Sequence, residues 1–489
     1  MKPLRIAIIG GGPGGLMTAY LLGKHNEFPK DVTIFEASGR LGGKVRTLEF
    51  GSAPIRYEAG AAELYDYSQL GPDPLRELVA ELGLTTHPMG GEGVVMNGRI
   101  LKTLEDIRDA FGEQAYNALR TFEKRACASI SPPEYYESDW KADNNDRLSK
   151  ISFATLLDEI RDENARRYVE LALHSDLATE PEKTNGMYGL QNYLMNLPQY
   201  MKLYSIDGGI ERLVQGLSDR IQATVKLNQP VVSVERVENG NYAVSSRQGE
   251  TVVEEEFDVV VAALPNNWLP LVEWRGALLS KAMRKHSAHY AYPAHYLRVS
   301  VLFERPFWRG EMDESYFMSD AFGGCCIYDE SSRNGSESHG VLGWLLGGEA
   351  ALTMSNLDDA TLVAKVLASL PPSLQHGKDM VVEARVHRWL GAVNGLPGGR
   401  PQRDPDERHV PDPVNHPEVF VVGDYLFDST LNGVLDSADT VVDWIITDMI
   451  PEEVNDRSGV HTIPVPTTAG DLAVANAALE AEAKRRATG

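Results

Sequence analysis

The chain has 489 residues, with 70 Asp+Glu against 47 Lys+Arg, a formal charge of −23 and a pI near 5.0. At about 100–200 residues per domain this length corresponds to roughly two to four domains, and the 43% apolar share is ample for large cores. The acid excess argues against a nucleic-acid protein, which needs a basic face, and against electrostatic docking on anionic lipid.

In chain order, residues 4–9 read as a parallel strand, 14–24 as a helix and 31–36 as a second strand, so the chain opens on a βαβ unit. From 72 to 200 the pattern is mostly helical, clearest from Pro74 to the glycine stop at Gly83, with a polar loop over 133–149. Ile206-Asp-Gly-Gly-Ile210 opens another helix. Lys226–Val237, Tyr242–Ser246 and Thr251–Phe257 read as a meander, and 258–263 as a buried strand stopped by Pro265. Residues 266–409 alternate strands (Leu297–Phe303, Gly340–Leu346) with a helix near 358–369, and 397–417 is loop-like. Val419–Val422 is a last buried strand, followed by a helix from about 433 to 449 and a Pro/Thr-rich tail with a short Ala/Glu helix over 471–486.

Three cysteines, Cys127, Cys325 and Cys326, are too few for a disulfide framework, which suggests a reducing, cytoplasmic setting. No run approaches about 18 apolar residues, so a membrane span is not expected. His286, His289 and His295 lack a ligand pattern with Cys or acids, and no metal site is expected.

Gly10, Gly12 and Gly15 form G-x-G-x-x-G where the first strand gives way to its helix, with Pro13 and Gly14 between. Such glycines serve a tight turn, close approach to a pyrophosphate and helix–strand packing, while the helix N-terminus attracts the phosphate charge. Glu36 ends the next strand, where an acid receives a ribose 2′-OH and favours FAD or NAD over NADP. The following Arg40-Leu-Gly42-Gly43-Lys44-Val-Arg46 supplies cations and bare backbone suited to a diphosphate. Residues 1–60 hold eight Lys/Arg against five Asp/Glu, a net +3 inside an acidic chain.

These motifs, with Tyr57-Glu-Ala-Gly60-Ala61, Tyr204-x-Ile-x-Gly208-Gly209, Phe303-Glu-Arg-Pro-Phe-Trp308 and Val421-Val-Gly423-Asp424, resemble the flavin-containing amine oxidase superfamily over roughly residues 4–450. That superfamily includes monoamine and polyamine oxidases, L-amino-acid oxidases, protoporphyrinogen oxidase and carotenoid desaturases. The resemblance implies an α/β fold. A discontinuous Rossmann-type FAD-binding domain would come from 1–71, 201–265 and 410–450, a mixed-sheet and helical substrate domain from 72–200 and 266–409, and a C-terminal tail from 451–489. It implies FAD contacts from Gly10, Gly12, Pro13, Gly14, Gly15, Glu36, Ala37, Arg40, Gly42, Gly43, Lys44, Val45 and Arg46. Further contacts would come from Ala61, Ala62, Glu63, Val232 (backbone, to the adenine), Gly423, Asp424, Gly433 and Val434.

The implied activity is FAD-dependent hydride transfer from a C–H next to an amine nitrogen, in an amino acid or a larger amine, with O2 or another acceptor reoxidising the flavin. Desaturase-like or protoporphyrinogen-oxidase-like dehydrogenation and a non-redox FAD isomerase are the alternatives. The implied partners are a small-molecule substrate and an electron acceptor, without nucleic acid or a transmembrane anchor, and a homodimer is compatible with the sequence.

The pattern also departs from its relatives. The position at which many amine-oxidising members carry lysine is Arg298, which stays protonated and could anchor a substrate carboxylate, or could face elsewhere. The aromatic-cage positions fall on Gly398 or Gly399 and on Gly433. No cysteine lies near Trp389, so the FAD is expected to be noncovalent. Trp389 and Tyr425 are the candidate flavin-facing aromatics.

Overall fold

Leu4–Ile9 (β1) carries Ile6, Ala7 and Ile8, all with no exposed surface, so this strand is buried on both faces, as a central parallel strand must be. It pairs in parallel with Lys30–Phe35 (β2) on one side and with Val259–Ala262 on the other, placing Ile8 between Ile34 and Val261. Thr224–Lys226 and Val419–Val421 complete a five-stranded parallel sheet in the order 224–226, β2, β1, 259–262, 419–421. The helix between β1 and β2, Pro13–Lys24 (α1), starts on a proline whose missing N–H costs nothing in a first turn, and it buries Leu16, Met17, Ala19 and Leu22.

This computed structural model describes residues 2–448 apart from 92, 138–146, 332–337, 400–402, 404 and 428. Residues Met1–Met449 form one unit. The 451–489 tail with its expected Ala/Glu helix, and the centre of the expected polar loop, lie outside the described residues. No helix among the described residues is long and apolar enough to cross a membrane.

Several local expectations are corrected by long-range pairing. The span Lys226–Val237 is not one strand: Thr224–Lys226 joins the parallel sheet, while Val231–Arg236 joins a sheet with Tyr242–Gln248, Thr251–Phe257 and Glu273–Trp274. Asn228, at φ +55°, and Pro230, without an N–H, break the run between them. The helical stretch from 72 to 200 also contains Thr86–Met89 and Val94–Met96, short strands held by distant partners, and Arg99–Leu101, which hairpins onto Val94–Met96. Helix Pro132–Glu137 occupies part of the expected 133–149 loop, and Pro405–His409 forms a short helix inside the expected 397–417 loop.

A seven-stranded sheet has the order 381–394, 293–303, 340–347, 325–329, 316–319, 94–96, 99–101. Alternation gives it two distinct faces. Leu297, Val299 and Val301 pair with Leu346, Trp344 and Leu342 and pack with Leu362 and Val366 of helix Asp359–Ala368. On the opposite face, Arg298 pairs with Leu345 and His387, Tyr296 with Trp389, and Cys326 with Leu345. Cys326 and Tyr328 there pack with Ala62, with Leu173 of helix Glu163–Leu177 and with Tyr188 of helix Gly186–Met195.

Candidate functional site

At the end of β1 the chain turns through Gly10 at φ +113°, where a Cβ would lie 2.4 Å from the Ala263 carbonyl oxygen. A Cβ on Gly15 would lie 2.0 Å from the Gly10 carbonyl oxygen, so α1 can approach the turn only with glycine there. Gly12 differs: a Cβ on it would meet nothing nearer than the Gly43 Cα at 3.9 Å. Its bare Cα therefore faces open space above the first turn of α1, whose N-cap, Gly12 itself, provides no side-chain cap. Uncapped N–H groups beneath a space that a side chain would fill fit a diphosphate.

The neighbouring groups close round this space. The Gly11 N–H donates to Glu36 Oε2 at 2.8 Å, and the Ser38 N–H and hydroxyl donate to Oε1, fixing the carboxylate at the end of β2 beside Ala37. The Gly42 N–H donates to the Gly11 carbonyl, bringing the 40–46 loop over the glycine turn, with Val45 buried beneath it. Arg40 folds onto that loop, donating to the carbonyls of Leu41 and Gly43 at 3.0 and 2.6 Å, so it buttresses the turn. Lys44 is ion-paired with Asp424 and also donates to the Ala392 carbonyl. Arg46 is half-buried, and its guanidinium has no hydrogen-bond or ion-pair partner among the described residues.

Val232 sits at a break in the pairing of its strand, which passes from Val231 to Ser233, so its backbone lies outside that ladder. The Gly423 N–H donates to Ser437, and the helix Leu431–Asp448 begins two residues before Gly433. Val434 of that helix and Val422 lie beside Gly14. Residues from three distant stretches thus meet at the start of α1.

Ala59–Glu63 forms the wall between this cradle and the seven-stranded sheet. On the cradle side the Ala59 N–H donates to the Arg46 carbonyl at 2.8 Å and the Ala61 N–H to the Lys44 carbonyl at 3.2 Å. On the sheet side Trp389 Nε1 donates to the Ala59 carbonyl at 2.6 Å and Arg298 Nη1 to the Gly60 carbonyl at 3.4 Å. Trp389 and Arg298 are therefore both bonded to the backbone of this segment.

The expected role of Arg298 is nevertheless corrected. Its side chain is 1% exposed and ion-paired with Glu330, itself fully buried, and Glu330 also accepts the Glu58 N–H at 2.6 Å. The guanidinium lies 4.9 Å from the Tyr328 ring centroid. A charge already matched by a buried carboxylate is a structural ion pair and no anchor for a substrate carboxylate. Tyr425 is corrected too. It is 3% exposed and packs away from the wall, its ring against Tyr290 and its hydroxyl 3.2 Å from His286 Nε2. Gly398 carries no cage aromatic because its Cα lies against Ile151, where a Cβ would be 2.9 Å from the backbone.

One group of residues was missed by sequence reasoning. Tyr328 donates to Glu63 Oε2 at 3.0 Å, and Asn196 donates to Asp176 Oδ2 at 2.8 Å. Tyr65, Asp176, Tyr296 and Tyr316 keep some accessible surface, yet protein surrounds them so densely that burial dominates their ionisation. Burial, reinforced by the negative charge of Glu63, pushes the Asp176 pKa up from 3.8 to about 7 against the bond from Asn196. The signal in the sequence was its phase: Asp176 follows Val169 and Leu173 by seven and three residues, on the buried face of its helix.

Asp176 makes stability depend on pH. The folded state holds a proton that the unfolded chain releases between pH 3.8 and about 7, so stability is lost as pH rises through that window. Asp176→Asn should accordingly raise unfolding free energy at pH 8 by about 1–3 kcal/mol, cavity water screening the rest, and by much less at pH 4. Urea unfolding at the two pH values checks it; equal gains at both would show that Asp176 does not titrate in this range.

The family model described as flavin containing amine oxidoreductase matches residues 13–446. Flavin-containing amine oxidase A of Canis lupus familiaris is 25% identical over 297 residues, 56% of this chain and 52% of that one, so the chain spans about half the length of that relative. The flavin-dependent L-tryptophan oxidase RebO of Lentzea aerocolonigenes is 24% identical over 419 residues, covering 79% of this chain and 84% of that one. Among solved structures, wild-type putrescine oxidase bound to putrescine superposes with a TM-score of 0.70 at 20% identity, over 91% of this chain and 99% of that one. Cyclohexylamine oxidase from Brevibacterium oxydans IH-35A gives 0.68 at 18% identity, over 91% and 100%. A family match across nearly the whole described chain, on a nucleotide cradle of this form, means that the chain belongs to the flavin containing amine oxidoreductase family.

Proposed function

We propose that this chain is an FAD-dependent oxidase that removes hydride from the C–H next to an amine nitrogen and passes the electrons to O2, with FAD held noncovalently. The observation that carries the reading is the double-sided wall Ala59–Glu63, bonded to Lys44 and Arg46 on its cofactor side and to Trp389 and Arg298 on its substrate side. When bound, the flavin supplies the hydride acceptor and the route for electrons to O2. The chain's residues would do the rest. The glycine turn, the α1 N-terminus and Arg46 would hold the diphosphate, Glu36 the ribose, and the Val232 backbone the adenine. Lys44 and Asp424, already paired, would sit at the ribityl side. Trp389, pinned through its indole N–H, would orient the reacting amine against the wall.

One feature disfavours an amino acid: Arg298 is matched by Glu330, which removes the expected carboxylate anchor. Noncovalent attachment is supported by the cysteines. Cys325 and Cys326 are buried, and burial pushes the Cys325 thiol up to about 12, far from a reactive thiolate. The test is anaerobic addition of amines to the yellow protein: bleaching, followed by peroxide on admitting air, is expected, and acid precipitation should release all the colour. Turnover without bleaching would point to the isomerase instead.

A further inference from the structure

The turn that follows the last strand of the nucleotide sheet is held from behind by buried groups that lie outside every motif. Gly423 precedes Asp424, the ion-pair partner of Lys44. A Cβ at Gly423 would lie 2.6 Å from the Tyr425 ring, so the position admits no side chain, and glycine is the least restrained residue in a chain. Its conformation is fixed from outside. The Gly423 N–H donates to Ser437 Oγ at 3.1 Å, and Ser437, fully buried in helix Leu431–Asp448, is hydrogen-bonded at 3.1 Å to His409 Nε2. A serine hydroxyl rotates to suit its partners. The bond to His409 removes that freedom and keeps the oxygen aimed at the Gly423 N–H.

His409 is also fully buried, at the end of Pro405–His409, the short helix inside the expected 397–417 loop. That helix grips the other end of the same turn. Arg408 Nη1 donates to the Leu426 carbonyl at 3.2 Å, and the Phe427 ring centroid lies 5.5 Å from the Arg408 guanidinium and 5.7 Å from the His409 ring centroid. Asp424 therefore stands between two grips, one on Gly423 and one on Leu426–Phe427. Burying a serine and a histidine completely is costly unless their hydrogen bonds are well made, and here the bonds run to the residue before the cofactor-side carboxylate. We propose that Ser437 and His409 are positioning residues for the flavin: by holding Gly423 they set the Asp424 carboxylate, and through it Lys44, at the ribityl side. Neither side chain is required to touch the cofactor.

This inference rests on the FAD reading, and its test separates the two. The full-length apoprotein is titrated with FAD, and the visible circular dichroism of the flavin is recorded at saturation. Ser437→Ala and His409→Leu should each weaken FAD binding by about 10-fold. The double variant should be no weaker than either single one, because both residues act through the same N–H. His409→Gln, which keeps a hydrogen-bonding group at the end of the side chain, should return most of the affinity. The flavin signal of saturated Ser437→Ala should differ from that of the wild type, a change that lost stability alone does not produce. Losses that add in the double variant, an unchanged FAD dissociation constant in Ser437→Ala, or a wild-type flavin signal at saturation would each overturn the positioning role while leaving the cofactor reading intact. Wild-type protein that takes up no FAD refutes the cofactor reading and this inference with it.

Discussion

Gly12→Ala should leave the apoprotein folded and strip it of its flavin. A Cβ at this position finds no protein atom nearer than 3.9 Å, so nothing in the polypeptide objects to the methyl group. The objection would come from a pyrophosphate held against the bare Cα, as proposed above, and overpacking of this kind costs about 1–3 kcal/mol, or roughly 10–100-fold in FAD affinity. Gly15→Ala is the contrast, because its Cβ would sit 2.0 Å from the Gly10 carbonyl oxygen and should damage the apoprotein as well. Titration of apoprotein by flavin fluorescence, beside a thermal melt of each variant, separates the two. An unchanged FAD dissociation constant in Gly12→Ala would move the diphosphate away from this turn.

The second large effect is expected from Arg298→Met. Deleting the cation takes the ion-pair partner from a fully buried carboxylate, a loss of about 3–5 kcal/mol. Adding Glu330→Gln should return a substantial part of that stability, because the double variant no longer buries a lone charge. Urea unfolding of the single and double variants measures the coupling. An Arg298→Met protein of normal stability but raised KM for carboxylated substrates would restore the anchor role that the ion pair argues against.

The opening βαβ unit was legible in the sequence because its determinants are local: an apolar run, spaced glycines, a proline at the first helical position and an acid ending the next strand. Strand Leu297–Phe303 was also legible as an apolar run, whereas the face on which Arg298 lies is fixed by its neighbours Leu345 and His387. The partner of Arg298 was not legible, because Glu330 lies 32 residues away, just past a strand that only tertiary pairing brings into the same sheet. Glu63 was read for the cofactor alone. Asp176 was passed over because one more acid in a chain of charge −23 looks like solvated surface until a helix phase and a packed sheet enclose it. The split of Lys226–Val237 between two sheets shows the same limit, since propensity identifies strand-formers but long-range pairing chooses their sheet.

The strand order of the nucleotide sheet bears on how the protein is made. β1 and β2 are complete within the first 35 residues, their central neighbour ends at Ala262, and the last strand spans Val419–Val421. During synthesis from the N-terminus, the flavin-binding half of the molecule therefore waits, with an apolar strand edge uncovered, until more than four hundred residues have been joined. Sheets assembled from such distant pieces fold slowly and expose aggregation-prone edges meanwhile. The glycine turn that seems ready-made at residue 10 is thus among the last parts of the protein to become a binding site.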